Sequence, residues 1–431
     1  MGKALRPGKW PVSMQTPELR LSAGVALQVR AFGYSDALSK GVMMRTHSRF
    51  SVVASLALLF AAPAFTAEQP PTLAIGAAMP PFSLPGIDGK TYTDKSFAKA
   101  EILVMVFTCP HCPTAQAYQE RIKKLVTDYA PKNVTLIAIN PNHADAVRLD
   151  ELAYSDLSDS FAEMQERAKQ EKFNFVWLDD GPKQVMSHAY GPVATPHVFI
   201  FDKARKLRFE GRIDNSEREA SATTHDTRVA LDALLAGKAP PVTTTKVFGC
   251  SVKWADKVAD YSNYKKKWAG EPVTLEKADA ATLKAIRENK GTGKIRFINV
   301  WATWCGPCIS EFDELIEHNL RFRIRPFEMV TIAAENPDQE AAVKDFLVKK
   351  HASTTNYIFA SENKDELSEA LDPAWKGPLP YTIIVDETGK VIYREMGSID
   401  FLKMRRAIVP ALNKLKPWQG LSPIPPNPPK T

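Results

Sequence analysis

The chain has 431 residues, 44% hydrophobic and 24% charged, and this length predicts two or three domains rather than one. Its net charge of +7 is concentrated at the start, because residues 1–64 hold eight of the 56 Lys and Arg but only two of the 49 Asp and Glu. The rest of the chain therefore has 48 basic and 47 acidic residues. This near-neutral remainder argues against a nucleic-acid partner, and five cysteines are too few for a small disulfide-stapled scaffold.

Residues 44–67 have the pattern of a secretory signal peptide. A short basic stretch precedes an apolar run rich in Ala and Leu, which ends in small residues suited to cleavage. Translation is therefore expected to start at Met43 or Met44, and residues 1–43 are interpreted as a misassigned or disordered extension, with a genuine amphipathic leader as the alternative. Because of this signal-peptide pattern, we expect the mature chain to be periplasmic or secreted. It has no later run of eighteen apolar residues, so we expect it not to span a membrane.

Module one, at residues 73–250, alternates strands and helices. An apolar strand leads into a turn that holds Cys109 and Cys112, and a helix is predicted from about Ala115 to Tyr129. A later pair of strands forms an antiparallel hairpin before a closing helix. This order predicts a three-layer α/β module.

Module two, at residues 272–416, repeats this order after a polar linker at residues 251–271. A Pro-rich tail at residues 417–431 is expected to be extended or disordered. The predicted fold class is therefore α/β: two three-layer α/β/α modules in tandem behind a signal peptide.

Each module carries a Cys-x-x-Cys pair where a strand runs into a helix. In module two the strand at residues 295–301 leads to Cys305 and Cys308, and a helix is predicted over residues 308–319. A thiol at a helix N-terminus has a lowered pKa, because free N–H groups and the helix dipole stabilise the thiolate that attacks disulfides. Zinc binding by the two pairs is the alternative, but they lie about 190 residues apart and each follows its own strand, which favours redox chemistry.

The Trp-Cys-Gly-Pro-Cys motif at residues 304–308 and the Leu-Pro dipeptide at residues 379–380 resemble the thioredoxin superfamily, and within it the TlpA-like reductases. The resemblance implies that Cys305 is the nucleophile and that Cys308 resolves the mixed disulfide. It also implies a cis peptide bond at Pro380, which would pack against the disulfide and expose backbone to an extended substrate. An ordinary turn proline is the alternative.

One position departs from that pattern. Classical thioredoxins carry a buried Asp six residues before the first cysteine, and this chain has Asn299 there. Glu311 lies three residues after Cys308, on the same helix face, and is the candidate for the missing proton relay. A solvated glutamate is the alternative.

Module one resembles the redoxin branch, which is alkyl hydroperoxide reductase/thiol-specific antioxidant-like. The resembling elements are the Cys-Pro-His-Cys motif at residues 109–112, Thr195-Pro196 and a late Gly-Cys at residues 249–250. Pro196 is the second cis-proline candidate, with a loop proline as the alternative. The Pro-x-x-x-Thr-x-x-Cys frame of peroxiredoxins is absent before the first cysteine.

The Pro-His dipeptide between Cys109 and Cys112 matches that of periplasmic disulfide oxidants. A cation or donor there stabilises the thiolate, so this pair is expected to be the more oxidising one, with electrons running from module two to module one. Cys250 is left over. It could be a free thiol, resolve a disulfide with Cys109 or Cys112, or simply be a small buried apolar residue.

We therefore predict a thiol–disulfide oxidoreductase with two dithiol sites. It would act on protein or small-molecule disulfides and thiols, draw on an external thiol electron donor, and need no metal, flavin or nicotinamide in the chain. The alternatives are a thiol peroxidase of the antioxidant type and a metal- or haem-handling chaperone in cytochrome or oxidase assembly. A non-catalytic docking role for module one is a further alternative.

Overall fold

The structure is a computed structural model that describes residues 69–416. The predictions for residues 1–43, for the signal peptide at 44–67 and for the tail at 417–431 lie outside the described residues. Between residues 69 and 416, none of the helices combines the length and the apolar character that a membrane span requires.

Module one is built on a five-stranded mixed sheet. Its elements in chain order are β1 (Ser83–Pro85), β2 (Thr91–Thr93), β3 (Ile102–Phe107), α1 (Pro113–Tyr129), β4 (Val134–Asn140), α2 (Phe161–Glu171), β5 (Val176–Asp179), α3 (Val185–Tyr190), β6 (Ala194–Thr195), β7 (His197–Phe201), β8 (Leu207–Gly211), α4 (Asp226–Leu235) and β9 (Cys250–Ser251). The strand order is β5-β4-β3-β7-β8, with β3, β4 and β5 parallel and β7 antiparallel to both neighbours. Two small antiparallel pairs, β1–β2 and β6–β9, lie outside this sheet.

Module two has the same arrangement with one more edge strand. Its elements, including the helix that precedes it, are α5 (Val258–Ala269), β10 (Glu276–Ala278), α6 (Ala280–Glu288), β11 (Ile295–Trp301), α7 (Gly306–Phe322), β12 (Phe327–Ala333), α8 (Glu340–Lys349), β13 (Thr355–Phe359), α9 (Lys364–Leu371), β14 (Tyr381–Val385), β15 (Val391–Met396) and α10 (Phe401–Leu415). The strand order is β10-β13-β12-β11-β14-β15, and β14 runs antiparallel to both of its neighbours, β11 and β15. The predicted α/β class with two thioredoxin-like modules is confirmed.

The central strand of each module is buried on both faces. Successive side chains of a strand point to opposite faces. In β3, Val104 therefore packs in one core with Ile122 of α1 and Leu231 of α4, while Met105 packs in the other core with Met186 of α3. Each such burial stabilises the fold by about 1.5–3 kcal/mol. An unbroken apolar strand therefore requires helices on both sides of the sheet.

The predicted linker at residues 251–271 is more ordered than the sequence pattern indicated. Its second half forms α5, because Tyr261, Tyr264 and Trp268 lie at helical spacing and pack against the core of module two. Its polar composition reflects the opposite, exposed face of this helix.

The two modules meet where α7 and α10 pack on the 3-10 helix of module one at Leu149–Tyr154 and on the loop that follows it. Arg321 of α7 is buried and donates hydrogen bonds to the carbonyl oxygens of Leu152 at 3.1 Å and Ser155 at 2.5 Å. Arg405 of α10 donates to the carbonyl oxygen of Asp156 at 2.6 Å. The interface therefore relies on guanidinium groups that satisfy backbone oxygens of the neighbouring module.

We expect Arg321→Met to weaken the contact between the modules, because it removes two hydrogen bonds and leaves the buried carbonyl oxygen of Ser155 without this donor, while that of Leu152 keeps the backbone N–H of Ser155. A hydrogen bond to a charged group contributes about 1.5–3 kcal/mol. In urea unfolding followed by fluorescence, the variant should unfold at lower urea than the parent protein, with the two modules melting in separate steps. Arg208→Met, which removes an exposed ion pair with Asp202, is the matched control and should change the unfolding free energy by less than about 0.5 kcal/mol. Equal midpoints for the two variants would contradict the assigned role of Arg321.

Candidate active site

In module two, Cys305 and Cys308 are joined by a disulfide with a Cα–Cα distance of 5.3 Å. Cys305 is the N-cap of α7, and its sulfur accepts the backbone N–H of Cys308 at 3.3 Å. The predicted placement of Cys305 at a helix N-terminus is confirmed, although α7 begins at Gly306 rather than Cys308. In the reduced state this position stabilises a thiolate on Cys305.

The Leu379–Pro380 peptide bond is cis, as expected. In the sheet, Val300 of β11 pairs with Tyr381 of β14, so Pro380 lies at the edge from which the chain continues towards Cys305. The functional role assigned to Pro380 stays a prediction.

An exposed aromatic side chain adjoins this disulfide. Trp304 is 71% exposed, whereas Cys305 is 5% exposed and Trp301 is fully buried. A large exposed apolar side chain beside a reactive sulfur offers a contact surface to a substrate chain.

Glu311 is buried beneath this site. One carboxylate oxygen accepts the backbone N–H of Ile399 at 3.0 Å, and the other has no hydrogen-bond partner among the described residues. Burial raises the pKa of Glu311 to about 7, against the opposing effect of the Ile399 hydrogen bond. The carboxyl group can therefore gain or lose a proton near neutral pH, as a relay requires.

Asn299 is fully buried, and its side-chain amide donates to Thr382 Oγ1 at 2.9 Å. It holds neighbouring strands together and cannot replace a titratable carboxyl group.

In module one the second cysteine of the pair, rather than the first, is the N-cap of the following helix. Helix α1 begins at Pro113, two residues earlier than predicted, because proline fits the first helical position. Cys112 is therefore the N-cap, and its sulfur accepts the backbone N–H of Ala115 at 3.4 Å. Both thiols of the pair are buried, with Cys109 at 1% and Cys112 at 0% exposure.

The pKa values of the Cys109 and Cys112 thiols are shifted in opposite directions. Burial opposes ionisation of Cys112, but hydrogen bonding from Cys109 and Cys250 and the charge of His111 hold its pKa well below the usual value. Burial and the interaction with Cys112 raise the pKa of Cys109. Cys112 is therefore the favoured thiolate of module one, whereas the capping position in module two belongs to the first cysteine.

His111 is fixed by a carboxylate that the sequence analysis missed. Its Nδ1 lies 2.6 Å from Asp159 Oδ2, and its backbone N–H donates to Asp159 Oδ1 at 3.0 Å. Asn142 donates to the same carboxylate at 2.7 Å. Burial lowers the pKa of His111, but Asp159 outweighs this effect and raises it. Asp159 lies 48 residues from His111 in an irregular loop, so no local motif could have identified it.

The second cis-proline candidate borders both thiols. The Thr195–Pro196 bond is cis. Thr195 Oγ1 lies 3.4 Å from Cys109 Sγ, and the carbonyl oxygen of Thr195 lies 3.5 Å from Cys112 Sγ. The geometry at Pro196 agrees with the prediction, while its functional role stays a prediction.

Cys250 also belongs to this site. It pairs with Thr195 across β6 and β9, and its side chain packs in one small cluster with Cys109, Cys112 and Ala115. The five cysteines thus form one disulfide in module two and one group of three thiols in module one.

One group of metal-type ligands occurs within residues 69–416. Cys109, His111 and Asp159 place a sulfur, a ring nitrogen and a carboxylate oxygen within 4.8 Å of one another. Thiolate and imidazole groups suit transition metals. In this arrangement, however, Nδ1 of His111 and the Asp159 carboxylate are engaged in hydrogen bonds with protein groups.

Residues 75–210 match the AhpC/TSA family, and residues 269–406 match the Redoxin family. Thiol-disulfide oxidoreductase ResA of Bacillus subtilis (strain 168) is 27% identical over 139 residues, which cover 31% of this chain and 73% of that protein. ResA of Bacillus anthracis is 28% identical over 112 residues, 26% of this chain and 59% of that protein, so the chain spans less than two thirds of that relative. Among solved structures, an uncharacterized conserved protein from Geobacillus kaustophilus is 32% identical, with 42% of this chain and 92% of that chain covered and a TM-score of 0.38.

The two family matches fall on two sheets with corresponding strand order, each with a Cys-x-x-Cys pair between its central strand and the following helix. The chain is therefore a tandem member of the redoxin and AhpC/TSA family of thioredoxin-fold proteins.

Proposed function

We propose that the chain is a thiol–disulfide oxidoreductase that uses both Cys-x-x-Cys pairs. The observation that carries this proposal is the Cys305–Cys308 disulfide at the N-terminus of α7, next to the exposed Trp304. The names of the ResA relatives support the same reaction class.

The reaction at module two begins from the reduced pair. The Cys305 thiolate attacks one sulfur of a substrate disulfide, a mixed disulfide forms, and the first substrate thiolate leaves and takes a proton. Cys308 then loses its proton to Glu311 and attacks the Cys305 sulfur, which releases the second substrate thiol. The substrate gains two electrons and the pair is oxidised, so an external thiol must reduce Cys305–Cys308 for the next cycle.

The proposal includes export of the protein across the cytoplasmic membrane. The signal-peptide pattern at residues 44–67 supports a periplasmic or secreted location, where disulfide chemistry persists. N-terminal sequencing of the exported protein checks this location.

We expect Cys305→Ser to reduce the disulfide-reductase activity of module two to background, because the attacking sulfur is lost. Cys308→Ser should instead accumulate a mixed disulfide between Cys305 and the substrate, because the resolving sulfur is lost. Insulin reduction by the full chain, combined with peptide mapping of the trapped species, distinguishes the two variants. A Cys308→Ser protein that turns over insulin normally through Cys305 would refute the assigned order.

Glu311→Gln should remove a pH dependence of stability. The pKa of Glu311 is raised from its ordinary 4.5 to about 7, so the folded protein keeps a proton that the unfolded chain loses. The unfolding free energy of the parent protein should therefore fall as pH rises from 4.5 to 7, by at most about 3 kcal/mol, and Glu311→Gln should abolish this loss. Urea unfolding of the oxidised protein across this range measures the effect.

Glu317→Gln is the control for this variant, because Glu317 lies on the same helix with 46% side-chain exposure. It should keep the pH dependence of the parent. A relay role further requires Glu311→Gln to slow resolution of the mixed disulfide above pH 7, where the parent carboxylate accepts a proton. An unchanged rate profile would eliminate the relay role while leaving the burial effect.

In module one, the stabilised Cys112 thiolate favours the reduced form of the Cys109–Cys112 pair, which makes the pair more oxidising. We expect its reduction potential to be higher than that of Cys305–Cys308, so that electrons pass from module two to module one. Glutathione titration with mass-spectrometric alkylation mapping measures both pairs in the same chain. His111→Asn should lower the potential of the first pair alone, and His188→Asn, at an exposed histidine, should not. A lower potential for Cys109–Cys112 would rule out this direction of flow.

A further inference from the structure

Cys250 is the least covered of the three thiols in module one. Cys109 and Cys112 lie beneath the surface at 1% and 0% exposure, whereas Cys250 is half-buried. Residues directly after it, among them Ser251 and Lys253, line a surface cavity of about 500 Å³. Of the three thiols, Cys250 is therefore the one most accessible to a thiol outside the protein.

The backbone brings Cys250 to the second cysteine of the pair. The carbonyl oxygen of Thr195 lies 3.5 Å from Cys112 Sγ, and Thr195 is the residue that pairs with Cys250 across β6 and β9. The Cys250 side chain then packs in the cluster with Cys112 and Ala115. Cys109 belongs to the same cluster, and hydrogen bonding with both of the other thiols lowers the pKa of Cys112 against the opposing effect of burial.

Gly249 makes this approach feasible. Its φ of +141° is a conformation that side chains disfavour, and a Cβ at this position would collide with the carbonyl oxygen of Thr195. A larger residue would therefore push β9 away from β6.

Hydrogen bonds on the other side of Cys250 hold the segment in place. The backbone N–H of Lys253 donates to Asn142 Oδ1 at 2.9 Å, and the carbonyl oxygen of Lys253 accepts from the backbone of His143 at 2.9 Å and from Gln184 Nε2 at 2.8 Å. Asn142 is also the residue that binds Asp159 beside the thiols. The segment is therefore built into the site of module one, although the sequence pattern placed a linker from residue 251.

We propose that Cys250 exchanges disulfides with Cys112 and so connects the buried Cys109–Cys112 pair to thiols outside. This rests on the proposed dithiol chemistry of module one and adds the residue through which that site communicates. Of the two partners that the sequence left open, Cys109 and Cys112, the proposal takes Cys112.

The exchange is an isomerisation without net oxidation. Hydrogen bonding with Cys112 and burial raise the pKa of Cys250 in the reduced site, so Cys250 gives up its proton as its sulfur attacks the Cys112 sulfur of the oxidised pair. The Cys112–Cys250 bond forms, and the Cys109–Cys112 bond breaks. Cys109 leaves as a thiolate and takes up the proton that Cys250 gave away. Thr195 Oγ1, 3.4 Å from Cys109 Sγ, is placed to donate a hydrogen bond to the leaving sulfur. The His111 ring, whose Nδ1 lies 3.6 Å from the same sulfur while bound to Asp159, stabilises it through its positive charge.

An external thiol then reduces the site in two steps. Its thiolate attacks the Cys250 sulfur and forms a mixed disulfide, and Cys112 departs as a thiolate. The lowered pKa of Cys112 makes it a good leaving group. A second external thiol cleaves the mixed disulfide, so two thiols become one disulfide and module one gains two electrons.

The test compares variants of the full chain in each of which one cysteine is replaced by serine. After oxidation with glutathione disulfide, Cys109→Ser should contain a Cys112–Cys250 disulfide by peptide mapping, and Cys112→Ser should not contain a Cys109–Cys250 disulfide. Cys250→Ser should still form Cys109–Cys112, but reduced glutathione should reduce that pair at least about tenfold more slowly than in the parent. The Cys305–Cys308 pair, mapped in the same samples, reports whether each variant is folded and active.

Gly249→Ala provides a second variant that keeps all three thiols. It should slow reduction of Cys109–Cys112 in the same way as Cys250→Ser, because β9 is displaced. Gly237→Ala is the matched control, since Gly237 also has positive φ but has open space around it, and its rate should equal that of the parent.

The outcomes separate this proposal from the proposed function. If Cys109→Ser forms no Cys112–Cys250 disulfide and Cys250→Ser is reduced at the parental rate, the role of Cys250 is refuted while dithiol chemistry stands. If Cys109 and Cys112 never form a disulfide in the parent protein, the function proposed for module one fails first.

Discussion

The residue at which the following helix begins determines which sulfur of each Cys-x-x-Cys pair is the N-cap. Proline lacks an N–H and fits the first helical turn. Pro113 follows the second cysteine and opens α1, so Cys112 is its N-cap, whereas α7 begins at Gly306 with Pro307 in second position, so Cys305 is its N-cap. Pro110 also lies between two cysteines, but no helix begins there. Identical spacing in the two modules therefore presents opposite sulfurs to the helix dipole. Burial raises the pKa of Cys112, and hydrogen bonding with Cys109 and Cys250, the charge of His111 and the backbone N–H of Ala115 together lower it.

A buried carboxylate connects the interface between the modules to the site of module one. Asp159 accepts hydrogen bonds from His111 and Asn142, which compensate its burial. It lies three residues after Asp156, whose carbonyl oxygen is bound by Arg405 of module two. The loop between the 3-10 helix and α2 therefore serves both contacts, so that the same backbone segment orients His111 and receives an arginine of the other module.

The two sites differ in how they face solvent. The disulfide of module two lies beside the exposed Trp304, while the thiols of Cys109 and Cys112 are enclosed by Thr195, His111 and β9. An open site suits direct contact with a large substrate, and an enclosed site suits transfer through a neighbouring thiol. The same fold thus provides two kinds of thiol site, because the residues around the cysteines differ between the modules.

The sequence by itself determined the fold class and the two dithiol pairs, because apolar strands, helical spacing and Cys-x-x-Cys motifs are local patterns. It also indicated Glu311, since helical spacing relates it to Cys308, and it located both cis-proline candidates through family resemblance. The tertiary structure decided which cysteine is the cap in module one, that Asp159 holds His111, and that Cys250 packs with Cys109 and Cys112. The last two features depend on contacts between residues tens to more than a hundred positions apart, whereas the cap depends on the residue at which α1 begins. No local periodicity encodes them, because the packing of the whole module brings the groups together.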